Sequence, residues 1–258
     1  MPFQEKNALI TGASQGIGAA TARLLRQRGI QSLILLDVAA DALDSLIDEL
    51  RQGEASPRII RCVADISDRK GLQASLQPVI AELGKIDVLL NNAGIADENE
   101  PEQDDIWHRV LNVNLHGTYY VTLEALNVMP DGGRIINVSS VLGRAGYVRN
   151  TAYCTSKHAL LGFTKSLALD LAMRKITVNA VLPGWVDTPM LRHGLEVQAE
   201  KSGADFQQLL RNARKQVPLR RLLESEEVAA LIAFLASDDA AGITAQSYVI
   251  DGGYTCGM

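Results

Sequence analysis

Short apolar runs alternate with longer amphipathic stretches along the whole chain. The runs at 7–11, 32–37, 59–63, 86–91, 133–139, 176–182 and 246–250 read as strands. Several are nearly continuous, such as Leu33-Ile34-Leu35-Leu36 and Val88-Leu89-Leu90. A strand without polar alternation suits a parallel sheet covered on both faces. Between these runs, the segments 17–28, 39–51, 68–83, 103–129, 151–173, 190–215 and 225–236 read as helices. Strand–helix alternation implies right-handed crossovers and a Rossmann-like, doubly wound α/β sheet of about seven strands, with helices on both faces. In such a sheet a ligand sits outside the carboxyl ends of the strands. No linker, repeat or shift in composition divides the 258 residues, so a single domain is expected.

Two local patterns place chemistry at those ends. The first strand runs into Thr11-Gly12-Ala13-Ser14-Gln15-Gly16-Ile17-Gly18, and a helix follows. Glycine allows positive φ and close backbone approach. Strand, turn and helix N-terminus together make a phosphate cradle. Asp37 closes the second strand about 20 residues on, where a carboxylate can bind ribose hydroxyls. Its competing reading is the N-cap of the helix that begins near Ala39. The second pattern is Tyr153-x-x-x-Lys157, two side chains one helical turn apart on one face. A free phenol has a pKa of about 10. An ammonium about 4 Å away favours the phenolate by roughly 4 kcal/mol at an effective dielectric near 20, or about three pH units. That would make Tyr153 an acid or base usable near neutrality.

These motifs do not stand alone. Asn91-Asn92-Ala93-Gly94, Asn114, Ser140 and Pro183-Gly184-x-x-x-Thr188 occur in order around them. In that order and at that spacing, the chain resembles a short-chain dehydrogenase/reductase of the single-domain type over nearly all its length. The resemblance implies a nicotinamide-linked oxidoreductase that interconverts an alcohol and a ketone. It implies that Gly12, Ser14, Gln15, Gly16, Ile17 and Gly18 cradle the cofactor. It further places Asp65 and Ile66 beside the adenine, and Asn91, Asn92, Ala93 and Gly94 along the adenosine side. Pro183, Gly184, Val186 and Thr188 fall at the nicotinamide end. By the same resemblance, Tyr153 exchanges the substrate proton and Lys157 supports it while holding the nicotinamide ribose. Ser140, with Ser139 as its rival, hydrogen-bonds the reacting oxygen. Asn114 distorts its helix and holds a water linking Lys157 to solvent. Without the other motifs, Asn91-Asn92 would read as a turn and Asn114 as a satisfied helix residue.

The cofactor can be argued further. A 2′-phosphate needs cationic partners. Gln15 and Asp37 offer none, and a carboxylate facing a phosphate costs several kcal/mol. NAD is therefore expected over NADP.

Composition mainly removes alternatives. A net charge of −5 disfavours nucleic acid as a partner. No apolar run reaches membrane-spanning length, and the start lacks a signal-peptide core. Cys62, Cys154 and Cys256 are few and scattered, so they read as reduced thiols in a cytoplasmic protein. Cys154 reads as packing. The four histidines lack metal-ligand spacing, and no metal is expected. Arg211, Arg214, Lys215, Arg220 and Arg221 read as a solvated face, or else as a guide for an anionic substrate.

The segment from about 187 to 221 resembles the family's substrate lid. Its Met190, Leu191, Leu195, Phe206, Leu209 and Leu210 either meet substrate or pack the lid itself. Tyr147 is a pocket candidate. The helices at 103–129 and 151–173 look too apolar for one sheet face to bury, and the resemblance implies a dimer or tetramer. Two subgroups are nearest: carrier-protein or polyketide 3-oxoacyl reductases, usually NADPH-linked, and NAD-linked secondary-alcohol dehydrogenases. Asp37 favours the second. A non-catalytic dinucleotide sensor would be expected to lack the Tyr or Lys that this chain keeps.

Overall fold

In the computed structural model, which describes residues 2–52 and 57–257, the apolar runs form one parallel sheet. Its strands are β1 (Asn7–Thr11), β2 (Ser32–Asp37), β3 (Arg58–Val63), β4 (Val88–Asn91), β5 (Arg134–Val138), β6 (Thr177–Pro183) and β7 (Ser247–Ile250). The order across the sheet is β3-β2-β1-β4-β5-β6-β7. Chain direction across the sheet reverses between β1 and β4, which opens a crevice at their carboxyl ends. Every residue of β1, β5 and β6 is buried. The edge strand β3 instead exposes Arg58 and Arg61, charges that discourage pairing with another chain.

Among the described residues the helices are α1 (Gly16–Gln27), α2 (Ala40–Arg51), α3 (Arg69–Leu83), α4 (Asp104–Leu111), α5 (Thr118–Leu126), α6 (Thr151–Asp170), α7 (Pro189–Ser202), α8 (Phe206–Gln216) and α9 (Ser225–Leu235). Alternate strand residues feed two cores. Ile10, Leu33, Leu35, Leu90 and Ile136 pack with Leu25, Leu43 and Ile47 of α1 and α2 and Ile232 of α9. Leu9, Ile34, Leu36, Leu89 and Ile135 pack with Leu76 of α3, Val121 of α5 and Ala168 of α6. Each fully buried Leu or Ile contributes about 1.5–3 kcal/mol.

Three predicted helices differ from the structure. The stretch 103–129 is interrupted by a π turn at Asn112–Gly117. There Gly117 lets the backbone lie on Ile66: a Cβ would stand 2.6 Å from Ile66 Cγ1. The stretch 190–215 breaks at Gly203, whose φ of +69° ends α7, before Asp205 caps α8 by accepting from Gln208 N at 3.0 Å. The stretch 151–173 leaves the α form after Asp170 and tightens into a 3-10 turn at Ala172–Arg174. Among the described residues, no helix is long and apolar enough to cross a membrane.

Candidate active site

A cleft of about 1410 Å³ runs along the carboxyl ends of the strands. One end is bounded by the glycine turn and Asp37. The other reaches Ser140, Tyr153 and Lys157.

The glycine turn is built for close approach. Gly12 and Gly16 have φ of +61° and +54°. A Cβ on Gly18 would lie 2.1 Å from Gly12 O, so only glycine fits there. Gln15, Gly16 and Ile17 line the cleft beside Gly12, whereas Ser14 and Gly18 do not; they support the turn from behind. Thr11, to which the sequence reading gave no role, ties the turn to β4. Its Oγ1 accepts from Asn92 N at 3.0 Å and Ala93 N at 3.1 Å. The side chain of Asn92 returns the contact, donating to Thr11 O at 3.1 Å and Gly12 O at 2.9 Å.

Asp37 does two jobs in this fold. One carboxylate oxygen accepts from Ser14 N at 2.9 Å, and the other from Ala39 N at 3.0 Å. The second contact is a local turn ahead of α2, whose N-cap is Ala39 without a side-chain cap, so Asp37 is not the helix cap of the competing reading. The first joins the acid to the glycine turn. The lining given by the ends of β2 and β3, from Leu36 to Val38 and Ala64 to Ser67, holds Asp37 and Asp65 and no Lys or Arg. Asp65 accepts from Ser67 N at 2.8 Å, and Ile66 lines the cleft while propping the π turn.

Asn91 departs from expectation. It is buried below the cleft, with Nδ2 donating to Thr122 Oγ1 at 3.0 Å and Asn137 Oδ1 at 2.9 Å. As the last residue of a strand, it turns its side chain into the layer beneath the sheet, and Asn92, Ala93 and Gly94 form the lining instead.

Ser140, Tyr153 and Lys157 do converge. β5 ends just before Ser139, and the two serines diverge there. Ser139 Oγ donates to Lys157 O at 2.9 Å and is used up on α6. Ser140 Oγ accepts from Leu142 N at 3.1 Å and lies near enough to the Tyr153 phenol to lower its pKa. The geometry thus favours Ser140 over its rival. Lys157 is buried, its Nζ donates to Val138 O at 3.0 Å and lies 5.5 Å from the Tyr153 ring centroid.

The electrostatics correct the simple spacing argument. Burial pushes the Tyr153 phenol above its ordinary value, and the neighbouring Ser140 hydroxyl only partly opposes this. Burial also holds the Lys157 ammonium down to about 8. The cation is committed to a backbone carbonyl, so desolvation outweighs its pull on the phenol.

Asn114 sits inside the π turn, fully buried. Its Oδ1 accepts from Ile95 N at 2.8 Å, and Nδ2 donates to Ile95 O at 2.9 Å and Ser156 Oγ at 3.1 Å. Asn114 O accepts from Thr118 Oγ1 at 2.9 Å. A Cβ on Gly94 would lie 3.1 Å from Asn114 Oδ1 and 3.4 Å from Lys157 Nζ, so a bare backbone separates the two.

Past β6, Gly184 approaches Asp251 so closely that a Cβ would stand 2.7 Å from Asp251 Cβ. Pro183, Gly184, Val186 and Thr188 all line the cleft. Thr188 Oγ1 accepts from Leu191 N at 3.3 Å and caps α7. Most apolar residues of the 187–221 segment pack on one another: Leu195 and Leu210 form a small core with Leu191, Phe206 and Leu209 against it. Met190 is exposed and lines the cleft. Two aromatic residues that the sequence reading passed over join Tyr147 in the wall: Trp185 and Tyr254, in edge contact at 6.2 Å. Their positions directly after Pro183-Gly184 and Gly252-Gly253 were the available signal.

The basic cluster lies away from this wall. Arg221 pairs with Glu227, Arg211 with Asp205, and none of the five lines the cleft. Cys154 lies in a separate depression with His158.

Known proteins share this architecture. The profile of a family described as enoyl-(acyl carrier protein) reductase matches residues 12–255. A 3-oxoacyl-[acyl-carrier-protein] reductase of Thermotoga maritima is 39% identical, covering 98% of this chain and 99% of that one. A cis-4-hydroxycyclohexanecarboxylate dehydrogenase of Sinomonas cyclohexanicum is also 39% identical, covering 98% of each. The solved structure of an actinorhodin polyketide ketoreductase variant with NADPH superposes with a TM-score of 0.89 at 34% identity, covering 96% of this chain and 97% of that one.

Proposed function

The chain belongs to the short-chain dehydrogenase/reductase family, oxidoreductases that use a nicotinamide dinucleotide on the alcohol/ketone couple, and from that premise we propose that it is an NAD-linked dehydrogenase of secondary alcohols. The observation that carries the proposal is the meeting of Ser140, Tyr153 and Lys157 in the cleft that begins at the glycine turn and Asp37. The residues fit a dinucleotide: Gly12 and Gly16 leave cleft-facing backbone bare for a pyrophosphate, Gly18 lets the turn close behind them, and Asp37 at the end of β2 would bind ribose hydroxyls. Asn92, Ala93, Gly94, Ile66 and Asp65 would flank the adenosine portion, and Pro183, Gly184, Val186 and Thr188 the nicotinamide end. When bound, the cofactor supplies the hydride acceptor or donor.

The chain's own residues handle the proton. In reduction the neutral Tyr153 phenol donates its Oη proton to the substrate oxygen. In oxidation Oη takes the hydroxyl proton as a phenolate, the form that the positive charge of Lys157 and of the oxidised cofactor would favour once the cleft is filled. Ser140 donates a hydrogen bond to the same oxygen as negative charge develops on it. The Lys157 ammonium, protonated at neutral pH with its value near 8, supplies the positive charge beside the phenol. Asn114 holds the π turn open beside Lys157. Titration of this group belongs to Tyr153 and Lys157 jointly. Trp185, Tyr254, Tyr147 and Met190 form an apolar wall suited to a substrate with a compact hydrocarbon body, under a lid spanning about 187–221. We read the protein as cytoplasmic and as a dimer or tetramer.

A panel of secondary alcohols and 3-hydroxyacyl compounds, followed by NADH absorbance, tests this. Turnover with NAD is expected, and Tyr153→Phe should lower kcat by about 10²–10⁴-fold. A second reading, an NADPH-dependent 3-oxoacyl reductase, draws on the 39% identity to a 3-oxoacyl-[acyl-carrier-protein] reductase and on the likeness to a polyketide ketoreductase solved with NADPH. Reduction of oxoacyl substrates by NADPH, without oxidation by NAD, would favour it.

A further inference from the structure

Helix α6, which carries Tyr153 and Lys157, has no cap of its own. Asn150 occupies the N-cap position but makes no capping bond; its Nδ2 turns back to Val148 O at 2.9 Å. The first N–H groups of a helix find no partner within it. Here an acceptor arrives from the loop after β4. Asn99 Oδ1 accepts from Ala152 N at 3.1 Å, while its Nδ2 donates to Thr151 Oγ1 at 2.7 Å and Glu100 O at 3.1 Å. Its backbone N donates to Arg149 O at 2.9 Å. Asn99 is only 2% exposed and does not line the cleft. Ala152, the residue it holds, immediately precedes Tyr153.

We propose that Asn99 is a positioning residue: it caps α6 from a distant part of the chain and thereby fixes Tyr153 against Ser140. The inference rests on the reading of Tyr153 as the proton-transfer group. The loop is suited to the task because its other end is also anchored at the site. Ile95, four residues earlier, is bonded through both backbone groups to Asn114. One short segment thus holds the π turn and the start of α6 in register. A capping side chain costs little when replaced on a solvent-facing helix. Here the same loss releases the turn that aims the phenol, and misplacement by about 1 Å can cost on the order of 10²-fold in rate.

The test compares Asn99→Ala, Asn99→Asp, Tyr153→Phe and Leu76→Ala in the full-length enzyme with NAD and its best alcohol. Leu76 is buried in α3 and lies outside the cleft, so its variant loses stability without touching the site. Asn99→Ala is expected to lower kcat by about 10–100-fold, with KM for NAD changed less than about twofold and the pH profile of kcat displaced. Asn99→Asp is expected to recover kcat to within about threefold of the parent, since a carboxylate still accepts from Ala152 N and favours a helix N-terminus. Leu76→Ala should lower Tm and leave kcat and its pH profile unchanged. The inference is overturned if Asn99→Ala keeps the parental kcat and pH profile, or loses no more kcat than Leu76→Ala. Should Asn99→Ala not fold, Asn99→Ser decides by the same readouts: its shorter side chain falls short of Ala152 N, and an unchanged kcat overturns the inference. With Tyr153→Phe inactive, such results overturn the role of Asn99 alone. An active Tyr153→Phe would overturn the reading of Tyr153, and the inference with it.

Discussion

Replacing Lys157 by methionine removes a buried ammonium while keeping most of its volume. The ammonium moves from an ordinary 10.5 to about 8 on folding. Below about pH 8 both folded and unfolded chains carry the proton, and the folded state bears the full desolvation cost. Between about pH 8 and about pH 10.5 the folded chain releases it first, so the unfolded state binds more protons and stability rises with pH. Over the whole window this amounts to about 3 kcal/mol, of which about 2 kcal/mol falls between about pH 7 and about pH 9.5. The substitution also strips Val138 O of its donor, a loss of about 1–3 kcal/mol that does not depend on pH. Absolute stabilities therefore mix the two effects, and the pH slope separates them. Tyr153, pushed above its usual range, stays neutral through most of the window and contributes little to that slope. The assay is urea unfolding followed by circular dichroism, at fixed protein concentration, across that range for both proteins. The parent should gain about 2 kcal/mol relative to Lys157→Met from about pH 7 to about pH 9.5. A difference flat to within about 0.5 kcal/mol would refute the account, showing that Lys157 is solvated in the folded protein.

Asp37→Ser should weaken NAD use and relieve the repulsion of a 2′-phosphate. Losing a charge-assisted bond to the ribose hydroxyls is worth about 1.5–3 kcal/mol, so KM for NAD should rise roughly tenfold or more, while the lost bonds to Ser14 N and Ala39 N loosen the turn. The ratio of kcat/KM for NAD over NADP should fall by about 100-fold, and an unchanged ratio would remove Asp37 from cofactor choice. Exposed Leu169 near the end of α6 and Met173 in the 3-10 turn that follows, with Tyr119 on α5 and Phe234 on α9, leave apolar surface for subunit contact. Light scattering at micromolar concentration should give a dimer or tetramer, and a monodisperse monomer would contradict this.

Local pattern alone was enough for the sheet, its helical cover and the candidate reacting groups. Near-continuous apolar strands such as Leu33–Leu36 leave few alternatives to a doubly covered parallel sheet. The glycine turn was equally legible, because the contact at Gly18 excludes every side chain and so leaves its mark as a residue type. Tyr153 and Lys157 were legible through helical spacing, which is local. What depends on contacts between distant segments could be read only from the tertiary structure. Burial reversed the expected effect on Tyr153, since desolvation depends on neighbours that spacing does not specify. Asn91 resembled a cofactor contact, but its strand position directs it into the amide cluster with Asn137 and Thr122. Asn99 bore no signal at all: its partner Ala152 lies 53 positions away, and capping across that distance exists only once the loop after β4 lies against the start of α6. Local propensity and steric exclusion are written residue by residue, whereas solvation and long-range hydrogen bonding are properties of the assembled fold.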